Sequence, residues 1–409
     1  MLVQLVDPAA YTPPYDHALA TALVRAGAEV ELITTASPDW EAATGAAATD
    51  EAVPVGMPGA PAWAAAATRA GGATYTRRLD FYRRSAELFG SGRLRQLARA
   101  VEHPAGLRRL RARPADLTHV QWAPVQEIDH LALPKLRPLV ITAHDILPRE
   151  ARTWQRAAQR AIYERAQLVI AHSDHGRQRL IDEAGVPEER IRVIPHGAFE
   201  HLALTPRAPL PAELGRTAGG DEPQRPVVLS FGLIRPYKAT DVLLRAWRQV
   251  NADAELWIVG KPRGVDLDEL RALADHRVRF VPRFVTDGEL AACFDAAQIT
   301  VLPYREIEQS GVLATSLAFG LPTVATAVGA FPEAEAHGAL TTVPPGDEPA
   351  LAAALERLLA DPTERAILTA GARRLALGPW SWEAVAGQHL QAYRELLGDR
   401  ADAKVAGLR

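Results

Sequence analysis

Length and composition set the first limits on this chain. Its 409 residues, of which 48% are hydrophobic and 23% charged, suffice for two domains that each bury a core. Cys293 is the single cysteine, which excludes an internal disulfide and a multi-cysteine metal site. The net charge is −3, the first segment lacks the pattern of a signal peptide, and the apolar runs are too short for a bilayer, so we expect a cytoplasmic protein.

The first half of the chain alternates short apolar strands with helices. Unbroken β-branched runs between helices are typical of a parallel sheet that is covered on both faces. Gly27 follows the first predicted helix, at the position where glycine commonly ends a helix. The pattern predicts strands at Leu2–Val6, Glu29–Thr34, Leu117–Gln121, Leu139–Ala143, Leu168–Ala171 and Arg192–Ile194, a helix at Tyr15–Ala26, and a surface loop from Ser37 to Gly72.

The alternation stops at residues 205–226 and then starts again. That segment is rich in proline and glycine and has no apolar period, so we expect a linker. Two doubly wound domains imply a cleft, and ligands bind such sheets beyond the carboxyl ends of the strands. After the linker the pattern predicts strands at Val227–Phe231, Glu255–Val259, Arg279–Val281, Thr300–Leu302 and Thr323–Thr326, with helices at Asp241–Val250 and Trp382–Leu397.

Positive charge is concentrated between Arg77 and Arg113. Eleven arginines stand there against Asp80, Glu87 and Glu102, a local balance of about +8, and leucines interleave with them. One interpretation is a solvated amphipathic helix. The other is a surface for an anionic or lipid-linked acceptor, or for the inner face of a membrane. Nothing else in the chain resembles a nucleic-acid-binding module, so we expect no nucleic-acid partner.

Lysine is rare in this chain, which draws attention to Lys238. A predicted strand ends just before Gly232, which allows a tight turn, and Arg235 and Lys238 follow before the next helix. Two fixed cations at the start of a helix suit a diphosphate, because guanidinium and ammonium groups donate charge-assisted hydrogen bonds to its oxygens. The alternative is that both cations merely pair with surface carboxylates.

A second pattern follows the predicted strand at Thr300–Leu302. Ser310 and Gly311 begin a helix, whose free backbone N–H groups and dipole favour a phosphate. Glu308, just before them, has a carboxylate that can accept hydrogen bonds from sugar hydroxyls. A carboxylate near a helix start is also an ordinary capping residue, so both interpretations of Glu308 stay open.

Together these patterns resemble the C-terminal domain of family 4 (group 1) glycosyltransferases of the GT-B fold. The motifs are Gly232-x5-Lys238, Glu308-x-x-Gly311, Ala-Phe-Gly-x-Pro at residues 318–322 and Val-Ala-Thr-x-Val-Gly-x-x-Pro-Glu at residues 324–333. The likeness is strong over Val227–Glu333 and weaker at residues 142–145, 194–197 and 380–397.

The resemblance implies an α/β fold with two Rossmann-like doubly wound domains that face each other across a cleft. An acceptor-side domain would span residues 1–204, followed by the linker at residues 205–226. A nucleotide-sugar-binding domain would span residues 227–379, and a helix over residues 380–398 would cross back to the first domain.

The same resemblance implies the roles of the site residues. The donor diphosphate would lie on Arg235 and Lys238, and the donor sugar on Glu308 and His144. The remaining donor contacts would come from the glycine turn and the helix start, at Gly232, Ser310, Gly311 and Val312. The family further implies no bound metal, no cofactor apart from the donor substrate, and transfer with retention of anomeric configuration.

The chain departs from the family pattern at three places. Leu233 stands where the family usually has an arginine, and Arg235 lies two positions later. The usual ribose-binding glutamate is replaced by Thr315 or Ser316, depending on the alignment. The loop after the first strand lacks the common glycine pair. These departures keep two alternatives open: a non-catalytic partner or sensor of sugar nucleotides, and a sugar-nucleotide epimerase.

Three further positions have alternative interpretations. His144, which follows an apolar strand, is either a cleft residue or a structural hydrogen-bonding residue. Asp16 either caps the first helix or, with His17, touches the acceptor. Asp266 and Asp268 look like a metal-binding Asp-x-Asp, but Asp266 is also a natural N-cap of the helix that follows.

Overall fold

The computed structural model describes residues 1–36, 52–54, 74–82, 93–133, 138–147, 153–215 and 225–406. Contacts divide the chain into two compact units, Met1–Pro195 with Trp382–Arg409, and His196–Ser381. The last helix therefore belongs to the first unit, as the resemblance implies. The predicted loop from Ser37 to Gly72 lies outside the described residues except for 52–54, as do residues 216–224 of the predicted linker. The predicted domain limits stay a prediction.

The first unit is built on a sheet whose order is β3-β4-β2-β1-β5-β6-β7-β8. All neighbouring pairs are parallel except β3 and β4, which are antiparallel. The direction of winding reverses between β1 and β5, where a doubly wound sheet binds ligands. Its strands are β1 (Leu2–Val6), β2 (Glu29–Thr34), β3 (Ala52–Pro54), β4 (Thr74–Leu79), β5 (Leu117–Val120), β6 (Leu139–Thr142), β7 (Leu168–Ala171) and β8 (Ile191–Val193).

Where the connection between two of these parallel strands lies within the described residues, it contains a helix. Gly27 has a φ of +94° just after α1, so the predicted glycine at the helix end is confirmed. Ser173 caps α5 by accepting a hydrogen bond from the Gly176 backbone N–H. The helices are α1 (Pro13–Arg25), α2 (Arg93–Ala112), α3 (Gln126–Ala132), α4 (Thr153–Arg165) and α5 (Asp174–Asp182).

The arginine-rich stretch contains a strand that the sequence pattern did not predict. Its first part is β4, which pairs with β2, and the Arg77 side chain there is only 1% exposed. The interpretation as a solvated helix is therefore wrong for this part, because alternating polar residues concealed a buried strand. The later part is helix α2, which buries Leu110 and exposes Arg108 and Arg111.

The second unit is a six-stranded parallel sheet with the order β11-β10-β9-β12-β13-β14. The chain starts at β9, adds two strands on one side and then three on the other, so the winding reverses between β9 and β12. This order confirms the predicted second Rossmann-like sheet. The strands are β9 (Val227–Phe231), β10 (Glu255–Val259), β11 (Val278–Val281), β12 (Ile299–Leu302), β13 (Thr323–Thr326) and β14 (Thr341–Val343).

Several helices of the second unit begin with side-chain caps. Thr286 and Glu289 form a reciprocal capping box, and Asp347 and Asp361 cap two later helices with their carboxylates. The helices are α6 (Glu200–Leu204), α7 (Thr240–Trp247), α8 (Leu267–Leu273), α9 (Asp287–Ala296), α10 (Gly311–Phe319), α11 (Phe331–Ala336), α12 (Glu348–Ala360) and α13 (Pro362–Leu377).

The chain ends with α14 (Trp382–Ala406), which packs on α1 in the first unit. Val385 and Tyr393 of α14 are fully buried in the same apolar cluster as Leu19 of α1 and Leu5 of β1. The helix thereby closes one face of the first sheet. Within the described part of the chain, no helix combines the length and the apolar character needed to cross a bilayer.

Candidate functional site

The turn after β9 brings backbone and cation together at the reversal point of the second sheet. Gly232 has a φ of +92°, which side chains other than glycine rarely adopt. A Cβ atom there would lie 2.7 Å from Lys238 Nζ and 3.1 Å from a Val312 methyl group. Glycine is therefore required at this position, and the predicted residues Lys238 and Val312 both lie beside Gly232.

Lys238 lies in a partly buried position under this turn. Its Nζ donates a hydrogen bond to the Phe231 carbonyl at 3.3 Å and lies 5.2 Å from the centre of the Tyr304 ring. Burial lowers the pKa of Lys238 to about 7, and the neighbouring Arg235 guanidinium acts in the same direction. An anion placed beside it would favour its charged form.

Arg235 is the second predicted cation of this turn. Its side chain is partly buried, and its Nε has no hydrogen-bond partner among the described residues. Over the same residues, neither Arg235 nor Lys238 forms an ion pair with a carboxylate. The alternative that this pair neutralises surface carboxylates is therefore not supported by the geometry.

The start of α10 offers backbone donors beside the same turn. Ser310 is the N-cap, and its Oγ accepts a hydrogen bond from the Leu313 N–H at 3.2 Å. The N–H groups of Gly311 and Val312 belong to the first turn, which lacks intrahelical acceptors. Glu308 precedes them and is only 7% exposed. Since Ser310 caps the helix, the interpretation of Glu308 as its cap is wrong.

Thr315 and Ser316, the two candidates for the ribose-facing position, both use their hydroxyl groups in hydrogen bonds within α10. Thr315 Oγ1 donates to the Gly311 carbonyl and Ser316 Oγ to the Val312 carbonyl, both at 2.9 Å. Both side chains are buried. Their protons are therefore already used within α10, and a ribose hydroxyl could only donate to them.

The first unit presents a histidine network at the carboxyl ends of β5, β6 and β7. His172 Nδ1 donates to the Ile194 carbonyl at 3.0 Å, and burial lowers the pKa of His172 to about 4, so its ring is neutral. His172 Nε2 lies 3.1 Å from His144 Nδ1. His144 Nε2 lies 3.0 Å from the side-chain oxygen Oε1 of Gln121.

The network continues to the last helix. Gln121 contacts His119 Nε2 at 3.2 Å, and His119 Nδ1 lies 2.6 Å from the hydroxyl of Tyr393 on α14. Burial lowers the pKa of His119 well below its usual value. His144 is therefore held by hydrogen bonds on both ring nitrogens. It is also stacked on Trp122, with ring centres 4.8 Å apart.

Sequence patterns did not single out His119, Gln121, His172 or Tyr393. These residues are spread over β5, the loops after β5 and β7, and α14, and none forms a motif with its neighbours in sequence. The sequence did contain one feature that could have identified these residues. Histidine and glutamine at the ends of apolar strands are unusual in a core, and such positions open towards the ligand edge of a sheet.

The loop after β1 is organised by a carboxylate rather than by a glycine pair. Asp7 accepts backbone N–H groups from Ala9, Tyr11 and Thr12 at 3.2, 2.6 and 3.2 Å. Asp16 lies beside it, and burial, followed by the charge of Asp7, raises the pKa of Asp16 well above its usual range.

The capping interpretation of Asp16 does not match this geometry, and the acceptor contact of Asp16 and His17 stays a prediction. The N-cap of α1 is Thr12, so the interpretation of Asp16 as a helix cap is wrong. His17 is buried, and its Nδ1 lies 2.6 Å from the Tyr75 hydroxyl. Both side chains are buried, with Asp16 1% and His17 5% exposed.

The Asp266–Asp268 pair serves as a helix cap. Asp266 Oδ1 accepts from the Asp268 N–H at 2.8 Å and from the Glu269 N–H at 3.4 Å, so the capping interpretation is confirmed. Across the described ranges, no group of three acidic, histidine or cysteine side chains is arranged to hold a metal ion. Metal independence stays a prediction.

Several arginines of the 77–113 stretch form ion pairs and hydrogen bonds within the first unit. Arg78 pairs with Glu31 at 3.1 Å. Arg109 donates to the Asp80 carbonyl at 2.6 Å, and Arg113 pairs with the Asp80 carboxylate at 3.1 Å. The positive surface is therefore smaller than the arginine count suggests.

Two family models match this chain. Residues 15–198 match the model described as Glycosyltransferase Family 4, and residues 225–361 match the model described as Glycosyl transferases group 1. The two matches together span most of the chain and correspond to its two sheets.

Relatives with assigned functions align with part of the chain. D-inositol 3-phosphate glycosyltransferase of Kineococcus radiotolerans is 32% identical over 59% of this chain and 60% of that relative. The protein of that name from Mycobacterium tuberculosis is 32% identical over 59% of this chain and 51% of that relative. The matched part of the chain thus spans less than two thirds of the length of either relative.

Solved structures resemble the whole chain. Sucrose-phosphate synthase from Thermosynechococcus elongatus has a TM-score of 0.68 at 20% identity, over 98% of this chain and 100% of that one. Anabaena HepE, solved with UDP and glucose, has a TM-score of 0.68 at 18% identity, over 97% of this chain and 100% of that one. Since models of one family match both halves, and the fold is that of these structures, the chain belongs to the family 4 (group 1) glycosyltransferases of the GT-B fold.

Proposed function

We propose that this protein transfers a sugar from a nucleotide diphosphate sugar to a hydroxyl-bearing acceptor, with retention of anomeric configuration. One observation carries the proposal: two cations without carboxylate partners among the described residues share the reversal point of the second sheet with the open first turn of α10. Lys238 and the start of α10 both adjoin Gly232. Such a set suits a diphosphate leaving group.

The proposed chemistry needs charge stabilisation more than it needs a base. The bond between the anomeric carbon and the diphosphate oxygen breaks, and the acceptor oxygen bonds to the same carbon on the same face. The acceptor proton passes to the departing phosphate oxygen. Arg235, Lys238 and the N–H groups of Gly311 and Val312 would stabilise the developing negative charge.

The roles of the remaining residues follow from their surroundings. His144 is fixed on both nitrogens and stacked on Trp122, which suits a residue that orients the sugar. Glu308 would accept hydrogen bonds from the sugar hydroxyls. The nucleotide is not specified by Thr315 and Ser316, whose protons are engaged within α10. UDP is the first nucleotide to test, because HepE was solved with it.

A screen of UDP-, GDP-, ADP- and TDP-sugars for thermal stabilisation tests the donor. A donor at a hundred times its Kd should add about 2.7 kcal/mol to the free energy of unfolding. Lys238→Ala should lose most of this gain, whereas Arg271→Ala, which removes an exposed cation of the same unit, should keep it. If no nucleotide sugar stabilises the wild type, the proposed function fails.

Nucleotide release distinguishes the remaining alternatives. A transferase releases nucleoside diphosphate faster when an acceptor is added. A non-catalytic sensor binds the donor and releases nothing, and an epimerase converts the donor sugar without any acceptor. Proton NMR of the product made from an α-linked donor then checks retention, because a β-linked product would exclude it.

Localisation is a separate part of the proposal. We propose that the enzyme acts in the cytoplasm, where the lone thiol Cys293 stays reduced, and that α2 contacts an anionic membrane. Arg108 and Arg111 support this contact, because both are exposed on α2. Pelleting with vesicles that contain anionic lipid tests it.

A further inference from the structure

The segment between β12 and α10, residues 303–310, lies against the turn that carries the two cations of the second unit. That turn includes a short 3-10 helix, Pro236–Lys238, directly after Arg235. The segment leads from β12 to Glu308 and to the N-cap of α10. The two halves of the candidate site are far apart in sequence, so the contacts between them determine how Lys238 lies relative to Glu308.

Arg305 joins this segment to the turn through its backbone and its side chain. Its backbone N–H donates to the Tyr237 carbonyl at 2.7 Å, and its Nη1 donates to the Pro236 carbonyl at 2.6 Å. Its Nη2 donates to both carboxylate oxygens of Asp241, the second residue of α7, at 2.8 and 3.0 Å. One residue therefore contacts the backbone just before Lys238 and the helix that begins just after it.

Asp241 is itself held in place for this contact. Arg245, one helical turn later, donates to Asp241 at 3.0 Å and to Glu348 of α12 at 2.5 Å. Burial alone would raise the pKa of Asp241, but the hydrogen bonds from Arg305 and Arg245 outweigh it and lower that pKa. The carboxylate therefore remains a charged partner of Arg305 at neutral pH.

The ion pair matters more for geometry than for stability. The side chains of Arg305 and Asp241 are 46% and 31% exposed, and pairs as exposed as this add little to the free energy of unfolding. A planar guanidinium that donates to a carboxylate and to a carbonyl at once nevertheless fixes the orientation of both. This arrangement suits a residue that orients its neighbours.

The backbone and rings around Lys238 are also fixed. Ala239 is 1% exposed and has a φ of +51°, a conformation that residues with a Cβ adopt only where their surroundings hold it. Tyr304, the neighbour of Arg305, packs edge to face on Tyr237 with ring centres 5.8 Å apart. Its ring centre lies 5.2 Å from Lys238 Nζ. The residues on both sides of Lys238 are therefore held by defined contacts.

We propose that Arg305 is a positioning residue of the transfer reaction, which fixes the turn that carries Lys238 against the segment that carries Glu308. This inference rests on the proposed transferase function. Arg305 would act through Lys238 rather than on the donor, because its guanidinium already donates to the Pro236 carbonyl and the Asp241 carboxylate.

Arg305→Ala tests this role, with Arg245→Ala as the matched control. Each variant removes one arginine from Asp241, but Arg305 also donates to the Pro236 carbonyl of the turn. With the donor that stabilises the wild type, kcat for nucleotide release should fall about tenfold in Arg305→Ala and less than twofold in Arg245→Ala, because a misplaced Lys238 stabilises the leaving group less well. Equal effects in the two variants, or an unchanged kcat in folded Arg305→Ala, overturn the proposal.

The conservative variant Arg305→Lys keeps the charge but loses the planar fork. Its kcat should stay about threefold below the wild-type value, because an ammonium group cannot donate to both partners in the same geometry. Should Arg305→Ala not fold, this variant takes its place against the same control. A wild-type kcat in Arg305→Lys would then overturn the proposal.

A double-mutant cycle distinguishes positioning of Lys238 from a general loss of stability. If Arg305 acts through Lys238, Arg305→Ala should lower the turnover of the Lys238→Ala protein by less than about twofold, whereas an independent role would lower it about tenfold again. An additional tenfold loss therefore overturns the proposal.

Proton uptake on donor binding provides a readout that a merely structural role would not change. A Lys238 side chain released from beneath the turn returns to solvent and regains its usual pKa, so Arg305→Ala should take up less proton than the wild type above pH 7. Wild-type uptake in the folded variant overturns the proposal. Donor stabilisation of the wild type is measured first, because its absence refutes the transferase function, whereas full turnover in Arg305→Ala refutes this inference alone.

Discussion

The two units present opposite chemistry at corresponding places in their sheets. The second unit places cations and open backbone N–H groups at the reversal between β9 and β12. The first unit places a histidine, amides and one carboxylate near the reversal between β1 and β5. The first arrangement suits a diphosphate and the second suits hydroxyls. One sheet architecture thus supports two different recognition tasks, and the side chains in the loops decide between them.

Among the variants proposed here, removal of the Lys238 ammonium group in the second unit should reduce turnover the most. Lys238→Ala is expected to lower turnover about 100-fold, because a cation that stabilises a developing leaving-group charge is worth roughly 2–4 kcal/mol. Nucleotide release at saturating donor measures this. Arg271→Ala serves as the control, since Arg271 lies on the exposed surface of the same unit. Turnover near the wild-type value in a folded Lys238→Ala protein would remove Lys238 from the site.

The pH dependence of donor binding should report on the charge of Lys238 in the second unit. Burial lowers the pKa of Lys238 to about 7 in the free protein, and a bound diphosphate should raise it again. Donor binding should therefore take up a proton above pH 7, and its affinity should fall with rising pH by up to about tenfold per unit. Titration calorimetry in buffers of different ionisation enthalpy measures this uptake.

Lys238→Arg supplies the control for that titration. Arginine remains protonated throughout this range, so the variant should bind the donor without the proton uptake. The donor affinity of the Lys238→Arg variant should therefore stay constant between pH 7 and 9. A wild-type profile that is already flat would contradict the assignment of Lys238 as the titrating group.

A change in the histidine network of the first unit should reduce turnover less than the loss of Lys238 does. Tyr393→Phe removes the hydroxyl that lies 2.6 Å from His119 Nδ1 and leaves a buried nitrogen unpaired. We expect the free energy of unfolding to fall by about 1–2 kcal/mol. Turnover should fall about threefold to tenfold, because the hydrogen bonds that orient His144 loosen. Kinetics at several pH values and chemical denaturation measure both effects.

Tyr75→Phe is a closely matched control for this network. It removes a hydroxyl that lies 2.6 Å from another buried histidine, His17, in the same unit. A similar loss of stability is expected, but turnover should stay near the wild-type value because the hydrogen bonds of the His17 ring run to Tyr75 and Thr21 rather than along the histidine network. Equal losses of turnover in the two variants would show that the network acts only through stability.

The difference between the units also explains what the sequence could predict. Gly232, Lys238, Glu308 and Ser310 lie in two short segments next to predicted strands, so local patterns were sufficient to propose them as site residues. His119 and Tyr393 are 274 positions apart and meet only because α14 packs on the first unit. No local pattern reports such a contact. The strand β4 was missed for a related reason, since its burial of Arg77 depends on long-range partners.

Charge reversal on α2 should have the smallest effect on catalysis. Arg108→Glu with Arg111→Glu inverts exposed charges and spares Arg109, which donates to the Asp80 carbonyl. If the acceptor does not bind on α2, its KM should change by less than about twofold, because exposed charges beyond roughly 8 Å are largely screened at physiological salt. Binding to anionic vesicles at low salt should decrease, since each lost cation weakens attraction to the surface. Kinetics with the soluble acceptor and vesicle pelleting separate these effects, with Arg271→Glu as the charge-reversal control. A large increase in KM would place the acceptor on the arginines of α2, whereas unchanged pelleting would leave α2 as a solvated helix.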